Sequence, residues 1–345
     1  MESEAEFAEF QKLNAVMTFL RNRNSADYAV TSPNGIDESK YVQIGGIEQW
    51  ITVRGQDRRN PVLLFLHGGP GDAVNPWGCA GFRSWLKRFT VVQWDQRGAG
   101  RTLGRNGADS ASRISLERMV EDGIELSELL RKDLKKDKVV LLGHSWGSIL
   151  GLYMAKARPA IFYAFVGTGQ VADPAKNYNV AYADLLAKAK RLGGSAAIRE
   201  LEGIGPPPYA DGAGYAVQRK WSNRFEGADF FLSATLGLAF AAPGYGLGDV
   251  NDWIAGQGLS AAQLVPKTSV LTPEELGGEF ALPVFVIQGA EDFTTPTGLA
   301  KRFVKSIRAP RKAFVEIERG GHFAVFMKPD AFLKELTAKV LPLTR

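Results

Sequence analysis

Short apolar runs alternate with amphipathic segments along most of the chain. The apolar runs have the length of buried strands and cover residues 62–66, 90–94, 139–142, 160–166, 283–288 and 313–317. Between them, apolar residues recur at the three- and four-residue spacing of a helix face, for example over residues 115–136. Because strands separated by helices form βαβ units, the pattern predicts an α/β fold with a mostly parallel sheet covered by helices on both faces.

The alternation stops over residues 171–280, where the pattern predicts helices without intervening strands. We therefore divide the chain into a core, residues 1–170 and 281–345, and a helical insertion, residues 171–280. Residues 1–35 of the core are predicted to form a helical N-terminal extension, since apolar residues mark one helix face between positions 7 and 20. A length of 345 residues suits one large domain with an insertion, or two domains.

Charge and cysteine content exclude several classes of protein. The net charge is +5, from 42 basic and 37 acidic residues, and no dense basic cluster suits a nucleic acid. Cys79 is the one cysteine, so no intrachain disulfide and no cysteine metal cluster can form, and a reducing compartment is expected. The acidic start lacks the pattern of a signal peptide, and no apolar run approaches the roughly 20 residues that cross a bilayer. We therefore expect a cytoplasmic protein without a membrane partner, and we leave its oligomeric state open.

The segment Gly143-His144-Ser145-Trp146-Gly147 fits the motif G-x-S-x-G and lies between a predicted strand and a predicted helix. This context is typical of a sharp turn that holds a nucleophilic serine at the carboxyl edge of a sheet. Glycine is expected on both sides of Ser145 because side chains there would crowd the strand and the helix. Ser145 is therefore the candidate nucleophile, and a Gly-rich turn with an incidental serine is the structural alternative.

A serine hydroxyl needs a base that takes its proton. The chain has three histidines. His144 adjoins Ser145 and is expected to point away from it, and His67 lies in a Gly-rich loop better suited to backbone donors. His322 follows the last predicted strand, so it is the candidate base by elimination and by the order serine, acid, histidine of α/β-hydrolases.

The base in turn needs an acid that holds it in the correct tautomer. Asp292 lies in the turn after the predicted strand over residues 283–288 and is the candidate acid. Glu291 is the alternative, because a loop rotated by one residue would present it instead.

The negative oxygen formed during acyl transfer needs two N–H donors. The backbone N–H of Trp146 is one candidate for this oxyanion hole. The second is expected from the loop over residues 67–71, where either Gly68 or Gly69 lets the backbone approach a substrate closely. No G-x-x-x-x-G-K-[ST] motif occurs, so this loop is not expected to bind a nucleotide.

Four segments together resemble the prolyl iminopeptidase family of α/β-hydrolases. They are His67-Gly68-Gly69-Pro70-Gly71, the stretch WDQRGAGRT over residues 94–102, Ser145-Trp146-Gly147-Ser148 and Gly321-His322-Phe323. The similarity covers about residues 40–170 and 281–345. It implies an α/β-hydrolase fold with a helical cap over the site, and a serine peptidase that releases an N-terminal residue, typically proline. It also implies that no metal or organic cofactor is needed.

The resemblance is weaker in the helical insertion. In the family, glutamates of the cap bind the free α-amino group of the substrate, and Glu226 matches one of them in a stretch similar to W…WEG. The stretch similar to the second one, over residues 239–245, contains no acid. Glu202 and Glu200 are candidates to replace it, although both also fit a solvated helix face.

Three functional hypotheses follow from these observations. The first is an aminopeptidase of the prolyl iminopeptidase type that acts on small peptides. The second is an esterase, lactonase or amidase that uses the same triad on a small acyl substrate. The third is a binding module that retains the triad for ligand sensing, since a fold alone does not determine a function. A serine at position 145 argues against haloalkane dehalogenases and epoxide hydrolases, which place an aspartate there.

Overall fold

Eight strands form one sheet in the computed structural model, which describes residues 2–108 and 114–344, the first nine of them by their backbone alone. The strands are β1 (Ile36–Ile44), β2 (Ile47–Gly55), β3 (Val62–Leu66), β4 (Thr90–Trp94), β5 (Val139–His144), β6 (Phe162–Thr168), β7 (Val284–Gly289) and β8 (Lys312–Ile317). Their order across the sheet is β1-β2-β4-β3-β5-β6-β7-β8. Strand β2 pairs antiparallel with β1 and β4, and the other neighbours pair parallel. The predicted mostly parallel sheet is confirmed.

Helices cover the sheet and form the long connection between β6 and β7. In chain order they are α1 (Glu2–Asp27), α2 (Asn75–Gly81), α3 (Gly100–Asn106), α4 (Leu116–Asp133), α5 (Trp146–Ala157), α6 (Pro174–Arg191), α7 (Ser195–Ile204), α8 (Gly212–Glu226), α9 (Ala228–Phe240), α10 (Leu247–Thr268), α11 (Pro273–Leu276), α12 (Thr297–Ser306), α13 (Ala324–Met327) and α14 (Pro329–Val340). Short 3₁₀ segments lie at Arg83–Lys87, Pro159–Ile161 and Leu341–Leu343. None of the described helices has the length and apolar character that spanning a membrane would require.

Alternate side chains of the central strands pack into two separate cores. On β5, Val139 and Leu141 belong to one hydrophobic cluster, whereas Val140 and Leu142 belong to the other. Each such side chain, once buried, stabilises the fold by about 1.5–3 kcal/mol. Because both faces of the sheet are covered, the strand is an uninterrupted apolar run, and its packing fixes the segment that follows it at Ser145.

The helix α10 lies within residues 171–280, where the sequence pattern predicts helices, and it packs against the core. Gly256 explains how closely this helix approaches the core. A Cβ atom at this position would lie 2.9 Å from the carbonyl oxygen of Gly98 and 3.2 Å from that of Gly71. Without that atom, α10 packs directly against the loops that follow β3 and β4, so tertiary contact overrides the low helix propensity of glycine.

The helical segment between β6 and β7 has a small core of its own. Its members are Tyr182, Leu185, Ala189, Ala197, Leu201, Trp221 and Phe293. Phe293 belongs to the loop after β7, so this core attaches the insertion to the sheet beside the candidate acid. That residues 171–280 act as a cap domain stays a prediction.

The loops that carry the candidate residues leave the sheet at one edge. Ser145 follows β5, Asp292 follows β7 and His322 follows β8, and the loop with Gly68 and Gly69 follows β3. These strands run parallel to one another, so their carboxyl ends meet at the same edge of the sheet. The fold therefore collects the predicted site from four distant parts of the chain.

Candidate active site

Ser145 lies in a strained turn between β5 and α5. Its φ and ψ angles are 53° and −119°, a conformation that residues other than glycine seldom adopt. A Cβ at Gly143 would lie 2.2 Å from the carbonyl oxygen of Gly147, and a Cβ at Gly147 would lie 2.1 Å from that of Leu66. Both flanking positions therefore require glycine, for the reason that the motif predicts.

Asp292 and His322 form a buried pair. The Nδ1 atom of His322 lies 3.1 Å from Oδ2 of Asp292, and the two residues are only 4% and 2% exposed. The other oxygen of Asp292 accepts hydrogen bonds from the backbone N–H groups of Thr294 and Thr295, at 2.9 and 2.7 Å. The hydroxyl of Thr295 donates to Oδ2 at 2.8 Å. With its proton held on Nδ1 by the carboxylate, a neutral His322 leaves Nε2 free to accept another proton.

The alternative acid, Glu291, points elsewhere. Its carboxylate accepts a hydrogen bond from the Nζ group of Lys188 on α6 at 2.7 Å, and its side chain is 41% exposed. The structure therefore brings Asp292, and not Glu291, to His322.

Ser145 and His322 line one cavity of about 580 Å³. Its apolar wall consists mainly of Trp77, Phe231, Leu232, Leu236, Trp253 and Ile254. Within the described residues the Ser145 hydroxyl has no hydrogen-bond partner, so a contact with His322 would have to form when a substrate binds. Catalytic hydrogen bonds often tighten only at that stage.

Two of the three candidate oxyanion donors, Trp146 and Gly68, lie next to Ser145, and the third, Gly69, lines the same cavity. Trp146 is the first residue of α5, and N–H groups at a helix start have no partner within the helix. Gly69 lines the cavity with a φ of +107°, which favours glycine. Gly68 packs more closely, since a Cβ there would lie 3.2 Å from the Cβ of Ser145.

The two other histidines brace these loops. His67 donates from Nδ1 to the carbonyl oxygen of Gly68 at 2.9 Å, its Nε2 accepts from the N–H of Gln96 at 3.2 Å, and burial lowers its pKa to about 4. His144 donates from Nε2 to the carbonyl oxygen of His322 at 3.1 Å. Burial and the neighbouring His322 lower the pKa of His144 well below its usual value. Both rings are therefore neutral, and the contact of His144 with the backbone of His322 was not predicted from the sequence.

Glu226, the last residue of α8, contacts the loops of Asp292 and His322 from the insertion. Its Oε1 accepts from the N–H of Phe293 at 2.8 Å, and its Oε2 accepts from the N–H of His322 at 2.6 Å. A Cβ at Gly321 would lie 2.6 Å from the Cβ of Glu226, so the glycine provides the space for this contact. Burial and the carboxylate of Asp292 raise the pKa of Glu226 to about 7. Glu226 does not line the cavity, and both of its oxygens are engaged by the backbone.

The other predicted substrate ligands lie on the surface of the insertion. Glu202 forms an ion pair with Lys190 at 2.9 Å, and both side chains are about half exposed. Glu200 pairs with Lys220 at 2.7 Å and accepts a hydrogen bond from the indole N–H of Trp221. Neither glutamate reaches the cavity, which corrects their assignment as substrate ligands. The interpretation as a solvated helix face fits their positions.

The stretch over residues 94–102 contains an arginine that anchors the loop after β4. The guanidinium of Arg97 contacts the carboxylate of Asp122 at 2.8 Å in a fully buried pair, and a second nitrogen donates to the carbonyl oxygen of Gly45. These contacts anchor the loop after β4 to the helix α4 and to the hairpin of β1 and β2.

In the described part of the chain, no group of three or more His, Cys, Asp or Glu side chains is arranged to hold a metal ion.

Comparison of the sequence with known proteins identifies the family of the chain. A family model described as alpha/beta hydrolase fold matches residues 61–329. The chain is 27% identical over 302 residues to a protein named probable aminopeptidase YbaC from Bacillus subtilis (strain 168). The aligned region covers 86% of this chain and 94% of the relative. It is 37% identical over 122 residues to a probable proline iminopeptidase from Streptomyces coelicolor, over 35% of each chain.

Solved structures have the same fold. A proline iminopeptidase from Mycobacterium smegmatis matches with a TM-score of 0.64 at 20% identity, over 89% of this chain and 99% of that one. A proline iminopeptidase-related protein from Thermus thermophilus matches with a TM-score of 0.63 at 22% identity, over the same shares. The family model spans most of the chain. The chain belongs to the alpha/beta hydrolase family, in which it resembles the proline iminopeptidases.

Proposed function

We propose that the protein is a serine hydrolase with Ser145 as nucleophile, His322 as base and Asp292 as the acid that orients the base. The observation that carries this proposal is the buried His322–Asp292 pair, whose His322 lines the same cavity as the strained Ser145. A nucleophile, a base and an orienting group from three separate loops form the constellation that acyl transfer requires.

The proposed reaction begins when Nε2 of His322 takes the proton of the Ser145 hydroxyl as its oxygen attacks the scissile carbonyl carbon. The oxyanion is stabilised by the N–H of Trp146 and by a second donor, for which Gly69 is better placed than Gly68 because it lines the cavity. His322 then gives the proton to the leaving group, and water hydrolyses the acyl-enzyme by the same route in reverse. Losing one oxyanion donor would raise the barrier by about 3–4 kcal/mol.

For the substrate, we propose a small peptide from which the N-terminal residue is released. The names of the relatives support this, since they are a probable aminopeptidase and proline iminopeptidases. The cavity also supports it, because about 580 Å³ with an apolar wall is a volume suited to a small ligand.

One observation favours the second candidate, an esterase, lactonase or amidase acting on a small acyl group. Glu226 is the single cap glutamate that matches the amine-binding residues of the family, and the backbone N–H groups of Phe293 and His322 already occupy its oxygens. An uncharged acyl substrate would need no such ligand.

Paired substrates distinguish the two candidates. We expect a prolyl or other aminoacyl arylamide with a free amine to be hydrolysed, with kcat/KM at least about 100-fold higher than for the N-acetylated compound, because an ammonium forms strong charge-assisted hydrogen bonds that an acetylated amine cannot form. Turnover of short esters and lactones without turnover of the arylamide would instead establish the second candidate. A protein that turns over none of these substrates would contradict both candidates and favour the binding module.

Glu226 offers a further prediction. In Glu226→Gln the amide –NH₂ would face one of the two backbone N–H donors, so we expect the free energy of unfolding to fall by about 1–3 kcal/mol. We also expect kcat to fall by a similar factor on free-amine arylamides and on esters, because the variant displaces the loops of the acid and the base. Denaturant unfolding and parallel assays of both substrates measure these effects. A loss confined to free-amine substrates would show that Glu226 binds the amine.

A further inference from the structure

Asp72 is a carboxylate in the active-site cavity that the triad does not use. It directly follows the segment His67-Gly68-Gly69-Pro70-Gly71, and its backbone N–H closes that loop on the carbonyl oxygen of Gly68 at 3.3 Å. A Cβ at Gly69 would lie 3.2 Å from the Cβ of Asp72. Asp72 lines the same cavity as Ser145 and His322. The Cβ atom of Asp72 therefore lies next to Gly69, the residue that is proposed to bind the carbonyl oxygen of the substrate.

The surroundings of Asp72 leave its charge without a counter-ion. Its Oδ1 accepts from the indole N–H of Trp253 at 2.8 Å and, more weakly, from the amide of Gln257 at 3.4 Å. Within the described residues, no lysine, arginine or histidine pairs with it and its Oδ2 has no partner. Burial raises the pKa of this carboxyl to about 6, against the opposing effect of the Trp253 hydrogen bond. A carboxylate held in this way favours the binding of a cation from outside the chain.

Asp72 is the one acid among the residues that line this cavity in the described chain. The other ionisable groups in the lining are His144, His322 and Arg219. The imidazole of His144 is neutral, and Arg219 is largely exposed. A substrate cation in the cavity therefore has one carboxylate available to it, and that carboxylate belongs to the core, not to the insertion.

We propose that Asp72 binds the free α-ammonium group of the substrate, with Trp253 and Gln257 of α10 orienting its carboxylate. This inference rests on the proposed aminopeptidase function. In such a substrate a single Cα atom separates the ammonium group from the scissile carbonyl. Placing the carbonyl oxygen against Gly69 and Trp146 thus brings the ammonium close to the end of the same loop, where Asp72 lies.

The position of Asp72 also links amine binding to the chemical step. A bare carboxylate beside the oxyanion hole would repel the negative oxygen that forms there. A bound ammonium neutralises Asp72 and removes this repulsion, so a free-amine substrate is favoured in the transition state as well as on binding. An amine-blocked substrate leaves the repulsion in place.

The test compares the wild type with Asp72→Asn, which keeps the shape of the side chain and an acceptor for Trp253 but removes the charge. For each protein, kcat/KM is measured on a prolyl or alanyl arylamide with a free amine and on a short p-nitrophenyl ester. We expect the ratio of amide to ester kcat/KM to fall by about 10- to 100-fold in Asp72→Asn, the range for losing a hydrogen bond to a charged group. Glu202→Gln is the matched control, because it removes a surface carboxylate outside the cavity, and its ratio should equal that of the wild type.

The outcomes separate this inference from the proposed function. If the wild type cleaves the free-amine arylamide and Asp72→Asn leaves the ratio unchanged, or lowers both activities equally, Asp72 is not the amine ligand although the aminopeptidase proposal stands. If the wild type hydrolyses only esters, the aminopeptidase proposal fails, and the amine ligand fails with it.

A second variant covers the case in which Asp72→Asn does not fold. Trp253→Phe keeps the aromatic wall and removes only the N–H that orients Asp72. We expect it to lower the amide-to-ester ratio about 3- to 10-fold, because the hydrogen bond that orients Asp72 is lost while its charge stays in place. An unchanged ratio in this variant would contradict the proposed orientation of Asp72.

Discussion

Replacing Ser145 with alanine is expected to lower kcat by about 10⁴- to 10⁶-fold on every acyl substrate that the protein hydrolyses. The hydroxyl is the one atom of the proposed site that forms a bond to the substrate, and no other nucleophile in the described lining of the cavity lies on a strained turn beside the oxyanion donors. The remaining rate would come from binding and from the oxyanion hole, which are intact without the hydroxyl. Steady-state assays, with unfolding curves to confirm the fold, measure the effect.

Ser148→Ala is the matched control for this prediction. Ser148 lies one turn further along α5, donates to the carbonyl oxygen of Ser145 at 2.6 Å and accepts from the N–H of Val171 at 3.0 Å. Its loss should affect stability by about 1 kcal/mol and activity by less than about tenfold. Comparable losses of kcat in the two variants would argue that the region is only structurally sensitive and that Ser145 is not the nucleophile.

The second large effect is expected for Asp292→Asn, with a loss of about 10⁴-fold in kcat. The backbone N–H groups of Thr294 and Thr295 require an acceptor and would fix the amide oxygen of the new side chain at the position of Oδ1. The –NH₂ group then faces Nδ1 of His322 and donates to it. The imidazole proton moves to Nε2, the atom that has to accept the proton of Ser145, so the base is held in the wrong tautomer.

Two controls separate this mechanism from general damage to the loop. Glu291→Gln removes the neighbouring carboxylate, which pairs with Lys188, and should change kcat by less than about threefold. Thr295→Val removes one hydrogen bond to Oδ2 of Asp292 but keeps the charge, so a loss of about tenfold or less is expected. If Glu291→Gln had the large effect and Asp292→Asn the small one, the assignment of the acid would be wrong.

The mostly parallel sheet and the choice of Asp292 and His322 as partners could be anticipated because both depend on local signals. A strand buried on two faces is an apolar run, as at residues 139–142, and each candidate side chain lies in the loop directly after such a run. Parallel strands bring those loops to one edge whatever lies between them. Local sequence patterns alone are therefore enough to predict that the loops at Ser145, Asp292 and His322 lie close together.

The contacts of the insertion could not be anticipated in the same way. Glu226 lies in a stretch that resembles a substrate ligand, but the direction of its side chain depends on the space left by Gly321, which is 95 positions away in the sequence. The helix α10 depends on the close approach of Gly256 to two distant loops. Asp72 adjoins a motif that sequence alone identifies, yet its exposure to the cavity depends on Trp253 of α10. Each of these features is set by packing between segments that no local pattern connects.

Covalent labelling with a fluorophosphonate shows whether Ser145 is the nucleophile that His322 and Asp292 activate. We expect one probe per chain, found by peptide mapping on Ser145, with complete loss of hydrolysis at full labelling and much slower labelling of Asp292→Asn. A fully labelled protein that still hydrolyses its substrates, or a probe attached to another residue, would contradict the account.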